Sequence, residues 1–228
     1  MIKFLLLDLD DTILDFHQSE YHAIRKTLRH FGIDPTDQVC ELYSRINLAH
    51  WKALERKEIT RDQLEVSRFE ELFSCLQVDA DARSCGKDYY ENLSQGHYFL
   101  PGAQEAVRAL SQKYQLYMVT NGTSIVQHRR IASSGIGEFF RDIFISQEMG
   151  ADKPDMVFFN NAFARIPDFD PRCAMIVGDS LTSDIRGGKN AGIATCWINP
   201  KHRSAPEHLC PDHEIESITQ LEALLQSI

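Results

Sequence analysis

The segment Ile2-Lys3-Phe4-Leu5-Leu6-Leu7-Asp8-Leu9-Asp10-Asp11-Thr12 begins as an apolar run and turns acidic at Asp8. A short apolar run with a polar break after it suits a strand buried on both faces, as in the middle of a parallel sheet. The partners of that strand must come from later in the chain. From about His17 to Gly96 glycine is scarce and apolar residues recur at helical spacing, as in Ile46, Trp51 and Leu54, or Leu64, Phe69, Leu72 and Phe73. This texture predicts three to four helices. Thr60 followed three residues later by Gln63 reads as a capping box, and Asp34-Pro35 as a break between helices.

After Leu100-Pro101-Gly102 the rhythm changes to compact apolar runs at 116–119, 142–145, 174–177 and 193–197, each separated by a helical stretch. A late strand near 213–215 and a helix from about Thr219 close the chain. Such alternation predicts an α/β fold with helices on both faces of a parallel sheet. The expected architecture is a Rossmann-like core made of residues 1–15 and 97–228, with an α-helical bundle cap inserted at 16–96. Because the insertion joins the first two strands, the cap is expected over the carboxyl edge of the sheet, where open α/β folds bind ligands.

Composition narrows the function. The 228 residues are 43% hydrophobic and 25% charged, with a formal net charge of −9, so the surface is not built to wrap a nucleic acid polymer or to lie on an anionic membrane. Any phosphate must be met locally. No apolar run approaches the roughly 18 residues of a membrane span, and none reads as a signal peptide. Six cysteines without a CxxC pair predict reduced thiols and a cytoplasmic location.

The predicted strand ends carry Asp8, Asp10, Asp11 and Thr12, then Thr120-Asn121-Gly122-Thr123, then Lys153-Pro154, and finally Gly178-Asp179-Ser180 with Asp184. In a parallel sheet the carboxyl ends share one edge, so these groups can converge. Asp8 and Asp10, two apart on extended backbone, face the same side, and with Asp179 they make an all-oxygen cluster. Unit charges about 4 Å apart repel by roughly 4 kcal/mol at an effective dielectric near 20, so the cluster calls for cations. Mg2+ suits the hard oxygen donors, and Lys153 adds a further positive charge.

Such a site invites phosphoryl transfer. Asp8 is expected to be the nucleophile, forming an aspartyl-phosphate, and Asp10 the acid that protonates the leaving oxygen and then the base that activates water. Thr120, Asn121 and backbone N–H groups near Gly122 are expected to bind phosphoryl oxygens, with Lys153 stabilising the developing charge. Pro154 is expected at the first position of a helix, fixing Lys153 at its entrance. Asp184 is expected one layer out, orienting Lys153 or a metal-bound water. A calcium loop does not fit, because Ile13 stands at the sixth position, where the turn needs glycine.

These motifs, in this order, resemble the haloacid-dehalogenase (HAD) superfamily over nearly the whole chain. The resemblance implies that Asp8 is the nucleophile, that Asp10 is the acid/base, and that the metal is held by Asp8, the Asp10 carbonyl and Asp179. It further matches Thr120, Asn121 and Lys153 to the family's second and third motifs, and the helical insertion to its first type of cap. Dehalogenases of this architecture lack the acid/base aspartate, so Asp10 and Thr12 imply a phosphatase. Asn47 through Trp51, Ser67-Arg68-Phe69-Glu70, Leu100-Pro101-Gly102-Ala103 and Ala194-Thr195-Cys196-Trp197 resemble the pyrimidine 5′-nucleotidase branch. This implies a small-molecule phosphate ester as substrate, a nucleoside 5′-monophosphate.

In the cap, Asn47 and Trp51 lie four apart on one helical face and could offer an amide and a ring to a base, or Trp51 could pack the bundle. Phe16 and His17 at the hinge and Arg68 are further candidate substrate contacts. The alternatives are a capped phosphatase or phosphonatase acting on another metabolite, such as a sugar phosphate or phosphoglycolate. A phosphonatase would need a Schiff-base lysine such as Lys52 or Lys57. A phospho-accepting receiver and an inactive binding module stand further off. Oligomeric state is not legible.

Overall fold

Phe4, Leu5, Leu6 and Leu7 are all completely buried and form the first strand of the protein, described over residues 1–228 by a computed structural model. In chain order the elements are β1 (Phe4–Leu7), α1 (Phe16–His30), α2 (Asp37–Glu55), α3 (Arg61–Leu76), α4 (Ala82–Leu93), α5 (Ala103–Ser111), β2 (Gln115–Thr120) and α6 (Ser124–Ser134). They continue with β3 (Asp142–Ile145), α7 (Ser146–Met149), α8 (Met156–Phe163), β4 (Ala174–Gly178), α9 (Arg186–Asn190), β5 (Ala194–Ile198), β6 (His213–Ile215) and α10 (Leu221–Ser227). Each later strand lies within a residue of its expected position.

The six strands form one parallel sheet in the order β3-β2-β1-β4-β5-β6. Strand side chains alternate between faces, so the sheet builds two cores at once. Leu5, Leu7, Met118 and Val177 join residues of α5, α6 and α10 in one cluster. Phe4, Leu6, Val119 and Ile176 join residues of α7 and α8 in the other. This double burial is why the strand sequences are apolar without alternation. The strand order reverses at β1, between β2 and β4, which makes the carboxyl end of β1 the switch point.

The chain divides into two compact units, Met1–Phe16 with His97–Ile228, and His17–Gly96. The break falls one residue later than the sequence suggests. In the second unit, α2 packs on α3 and α3 on α4 around Tyr43, Phe69 and Tyr89, whose ring centroids lie 5.3 to 5.7 Å apart. Thr60 Oγ1 accepts the Gln63 N–H at 3.2 Å and Gln63 Oε1 accepts the Thr60 N–H at 2.8 Å, closing both halves of the capping box. All six cysteines are free, and no helix is long and apolar enough to cross a membrane.

Candidate active site

The register of β1 against its two neighbours sets the site. Leu7 pairs with Met118 on one side and Val177 on the other, and the Asp8 N–H donates to the Val177 carbonyl at 2.9 Å. Asp8 therefore leaves the sheet between the end of β2, at Thr120, and the end of β4, where Asp179 follows. Oxygens of Asp8, Asp179 and Asp184 come within 4.8 Å of one another. Asp184 sits on a π-helical turn, Leu181–Ile185, and its approach depends on Gly178: a Cβ there would lie 2.2 Å from Asp184 Oδ2. The glycine before Asp179 is a matter of room.

Lys153 is held at the centre. Its ammonium donates to Asp8 Oδ1 at 2.7 Å, Asp184 Oδ1 at 2.6 Å and the Val119 carbonyl at 2.7 Å, which uses all three protons. Asp184 Oδ2 accepts the Ser180 N–H at 3.1 Å. Asn121 clamps the lysine backbone from both sides, its Oδ1 accepting the Lys153 N–H at 2.8 Å and its Nδ2 donating to the Lys153 carbonyl at 3.0 Å.

Three expectations change here. Pro154 does not begin a helix: it lies in the preceding turn, after a cis peptide bond, and α8 starts at Met156 with Asp155 capping the Val157 N–H. Lys153 is aimed by Asn121 and its three acceptors instead. The expected phosphate cradle is also partly committed internally. The Gly122 N–H donates to Ser146 Oγ at 3.1 Å, and the Asn121 amide is spent on Lys153. Thr120 Oγ1 accepts from Gln127 Nε2 at 2.8 Å and keeps its own proton to give.

The third change concerns Asp10. Its carboxylate does not join Asp8 and Asp179; Asp184 takes that place. Arg130 Nη1 donates to Asp10 Oδ1 at 2.7 Å and Gln127 Nε2 to Asp10 Oδ2 at 2.9 Å, turning the side chain toward α6. Asp10 is a carboxylate partner for the fully buried Arg130 guanidinium, whose charge would otherwise be costly to bury.

Three carboxyl groups face one ammonium, so their full ionisation would leave two negative charges uncompensated. Burial pushes the Asp8 carboxyl up to about 8 against the pull of Lys153, with Asp184 adding to the rise. Burial and the charges of Asp184 and Asp8 push Asp179 well above the usual carboxylate range. Burial works against the Lys153 ammonium, but Asp184 and Asp8 outweigh it and hold the proton. Asp184 has both oxygens engaged, whereas Asp8 Oδ2 and the Asp179 carboxylate accept no hydrogen bond. Hard oxygen donors with spare lone pairs and two excess charges fit a small divalent cation.

The chain matches the haloacid dehalogenase-like hydrolase family over residues 5–198. It belongs to that family. This HAD-like hydrolase is 39% identical over 221 residues to the HAD-hydrolase YfnB of Bacillus subtilis, covering 97% of this chain and 94% of the relative. The crystal structure of YfnB bound to magnesium superposes with a TM-score of 0.94 at 38% identity, covering 98% of each chain. Pyrimidine 5′-nucleotidase PynA of Streptococcus pneumoniae is 37% identical over 96% of this chain and 93% of its own. Pyrimidine 5′-nucleotidase YjjG of Escherichia coli is 29% identical over 97% of this chain and 96% of its own.

Sequence reasoning missed four side chains that this HAD-like hydrolase uses around its motifs. Gln127 and Arg130 stand three apart on α6, a spacing that could have marked them as one face turned to the sheet edge. Ser146 receives the Gly122 N–H, and the Trp197 indole donates to the Asp179 carbonyl at 2.8 Å. Ser146 carries no local signature, and Trp197 stands in the Ala194–Trp197 stretch with nothing there to mark this contact.

The cap candidates fall in different places. Asn47 and Arg68 meet in the buried interior of the second unit, where Arg68 Nη1 donates to Asn47 Oδ1 at 2.8 Å and Asn47 Nδ2 to Glu20 Oε1 at 2.7 Å. The Arg68 guanidinium lies against the rings of Phe69, Tyr89 and Tyr90. Trp51 neither fills the core nor stands open, because the Arg61 guanidinium covers its ring at 5.5 Å. Phe16 lies 5.8 Å from the Arg130 guanidinium, and its N–H donates to Asp11 Oδ1 at 3.0 Å. His17 lines a cleft of about 420 Å³ with Glu20, Asp37 and Glu41, an acidic lining that repels a phosphate dianion. Lys52 and Lys57 are exposed.

Proposed function

We propose that this HAD-like hydrolase is a magnesium-dependent phosphomonoesterase that cleaves nucleoside 5′-monophosphates through an aspartyl-phosphate. The observation that carries this reading is the division of labour among the aspartates. Asp8 is anchored through one oxygen by Lys153, while Asp10 is held apart from the charge cluster by Arg130 and Gln127. Asp8 and Asp179 would hold the cation, which would offset charge on the nucleophile and on the phosphoryl oxygens.

In the first half-reaction an Asp8 oxygen attacks phosphorus, the phosphorus–oxygen ester bond breaks, and Asp10 gives its proton to the departing alkoxide. In the second, Asp10 takes a proton from water as the water oxygen attacks the phosphoryl group on Asp8, and inorganic phosphate leaves. Thr120 donates its hydroxyl proton to a phosphoryl oxygen. Lys153, bonded to Asp8 Oδ1, keeps the Asp8 side chain in place through both half-reactions. The relatives named as pyrimidine 5′-nucleotidases support a nucleotide as the ester.

A panel of nucleoside monophosphates, sugar phosphates and phosphoglycolate, assayed for phosphate release with magnesium and with chelator, tests the proposal. Magnesium-dependent turnover of pyrimidine nucleotides above the other esters is expected. Asp8→Asn should abolish phosphate release while leaving the fold intact. Near wild-type rates in that variant would refute the nucleophile, and preference for a sugar phosphate would refute the substrate.

A further inference from the structure

We propose that Gln127 and Arg130 are positioning residues for Asp10, fixing the carboxylate through both of its oxygens so that it meets the leaving oxygen and cannot swing onto the cation. The inference rests on the reading of Asp10 as the acid/base. Its support is a closed network on one face of α6. Arg130 Nη1 reaches Asp10 Oδ1 at 2.7 Å and Gln127 Oε1 at 2.9 Å. Gln127 Nε2 reaches Asp10 Oδ2 at 2.9 Å and Thr120 Oγ1 at 2.8 Å.

This pattern permits only one orientation of the Gln127 amide. Turning it over would set its oxygen against the Asp10 carboxylate and its NH₂ against the Arg130 guanidinium. The orientation is enforced from outside the network as well. Arg130 has no solvent exposure. The Gln127 side chain passes so close to Gly122 that a Cβ on that residue would lie 2.8 Å from Gln127 Cγ. The glycine of the Thr120-Asn121-Gly122 motif thus makes room for the residue that orients Asp10. Through Gln127 one amide ties the acid/base to the hydroxyl on the phosphate side, so a proton donor and a phosphoryl-binding group keep a fixed spacing.

A carboxylate free to rotate would be drawn to the cation bound by Asp8, two residues away. Two hydrogen bonds to the carboxylate, one of them from a charged guanidinium, oppose that motion. Each Asp10 oxygen retains a lone pair for its work in proton transfer. Misplacement of such a group by about 1 Å can cost on the order of 100-fold in rate.

The test reads leaving-group dependence. kcat/KM is measured with saturating magnesium for phenyl, 4-nitrophenyl and 2,4-dinitrophenyl phosphate in wild type, Gln127→Leu, Arg130→Met and Asp10→Asn. A poor leaving group needs the proton and a good one does not, so misplacing Asp10 should steepen the series. For Gln127→Leu and Arg130→Met we expect a fall of about 100-fold with phenyl phosphate, shrinking to no more than about tenfold with the dinitrophenyl ester. A uniform fall across the series, no fall, or a gain overturns the positioning role. If Asp10→Asn steepens the series and the two α6 variants do not, only the positioning role fails. If Asp10→Asn does not steepen it, the acid/base assignment fails and takes the positioning role with it. Should Arg130→Met not fold, Gln127→Leu and Gln127→Glu decide the matter.

Discussion

Lys153→Met probes the buried charge cluster most directly. The substitution nearly preserves length but removes an ammonium that bonds Asp8, Asp184 and the Val119 carbonyl, all out of solvent. Breaking a buried ion pair by removing one partner costs about 3–5 kcal/mol, because the remaining charge is left uncompensated. A chain of this size loses about 2–4 °C of melting temperature per kcal/mol, which predicts a drop of roughly 6–20 °C for the metal-free protein. The drop should depend on pH. Without the lysine Asp8 binds its proton more tightly still, so near pH 7 both proteins hold that proton and the loss is smaller, whereas near pH 9 the wild type has released it beside Lys153 and the variant has no counter-ion for the charge, which widens the loss. Thermal unfolding in chelator at both pH values, followed by circular dichroism, measures this. A loss under about 3 °C near pH 9, or the same loss at both pH values, would refute the account of Lys153 as the cluster's counter-ion.

In the wild type, Asp8 is pushed up to about 8 from an ordinary 3.8, so between these values the folded metal-free protein holds a proton that the unfolded chain has released. Its stability therefore falls as pH climbs through that window, and magnesium, which competes with the proton, should raise the melting temperature more near pH 8 than near pH 6. Asp179→Asn removes one mutually repelling buried carboxylate. It should raise the metal-free melting temperature, weaken magnesium binding measured by calorimetry and lower phosphate release at least about 100-fold. Gly178→Ala places a methyl 2.2 Å from Asp184 Oδ2, and denaturant titration should show a loss of about 1–3 kcal/mol with reduced kcat. Thr60→Ala opens the capping box at the start of α3 and should destabilise the His17–Gly96 unit by about 1 kcal/mol in hydrogen exchange, with no loss of the core's protection.

Much of the molecule was legible before any coordinates. The apolar run Phe4–Leu7, the strand and helix alternation after Gly102 and the helical texture between His17 and Gly96 are local patterns, each stated by a few adjacent residues. Asp8, Asp179 and Thr120 could be named because they end or directly follow strands, and Lys153 because it lies in the loop beyond the third strand; parallel strands end on one edge. Such inferences need only periodicity and topology.

The sequence by itself determined the architecture and the aspartates and lysine gathered at the sheet edge, though not Arg130, since burial of apolar surface follows patterns of two and 3.6 residues that any reader of the chain can trace. Only the tertiary structure decided who bonds with whom. It put Asp184 beside Asp8 and sent Asp10 to Arg130 and Gln127, it spent the Asn121 amide on the Lys153 backbone, and it covered Trp51 with Arg61. Hydrogen bonds reach about 3 Å and are satisfied or lost by rotations of single side chains. Their partners therefore depend on distances across separations that run from 32 residues for Asn121 and Lys153 to 120 for Asp10 and Arg130, which no local pattern encodes.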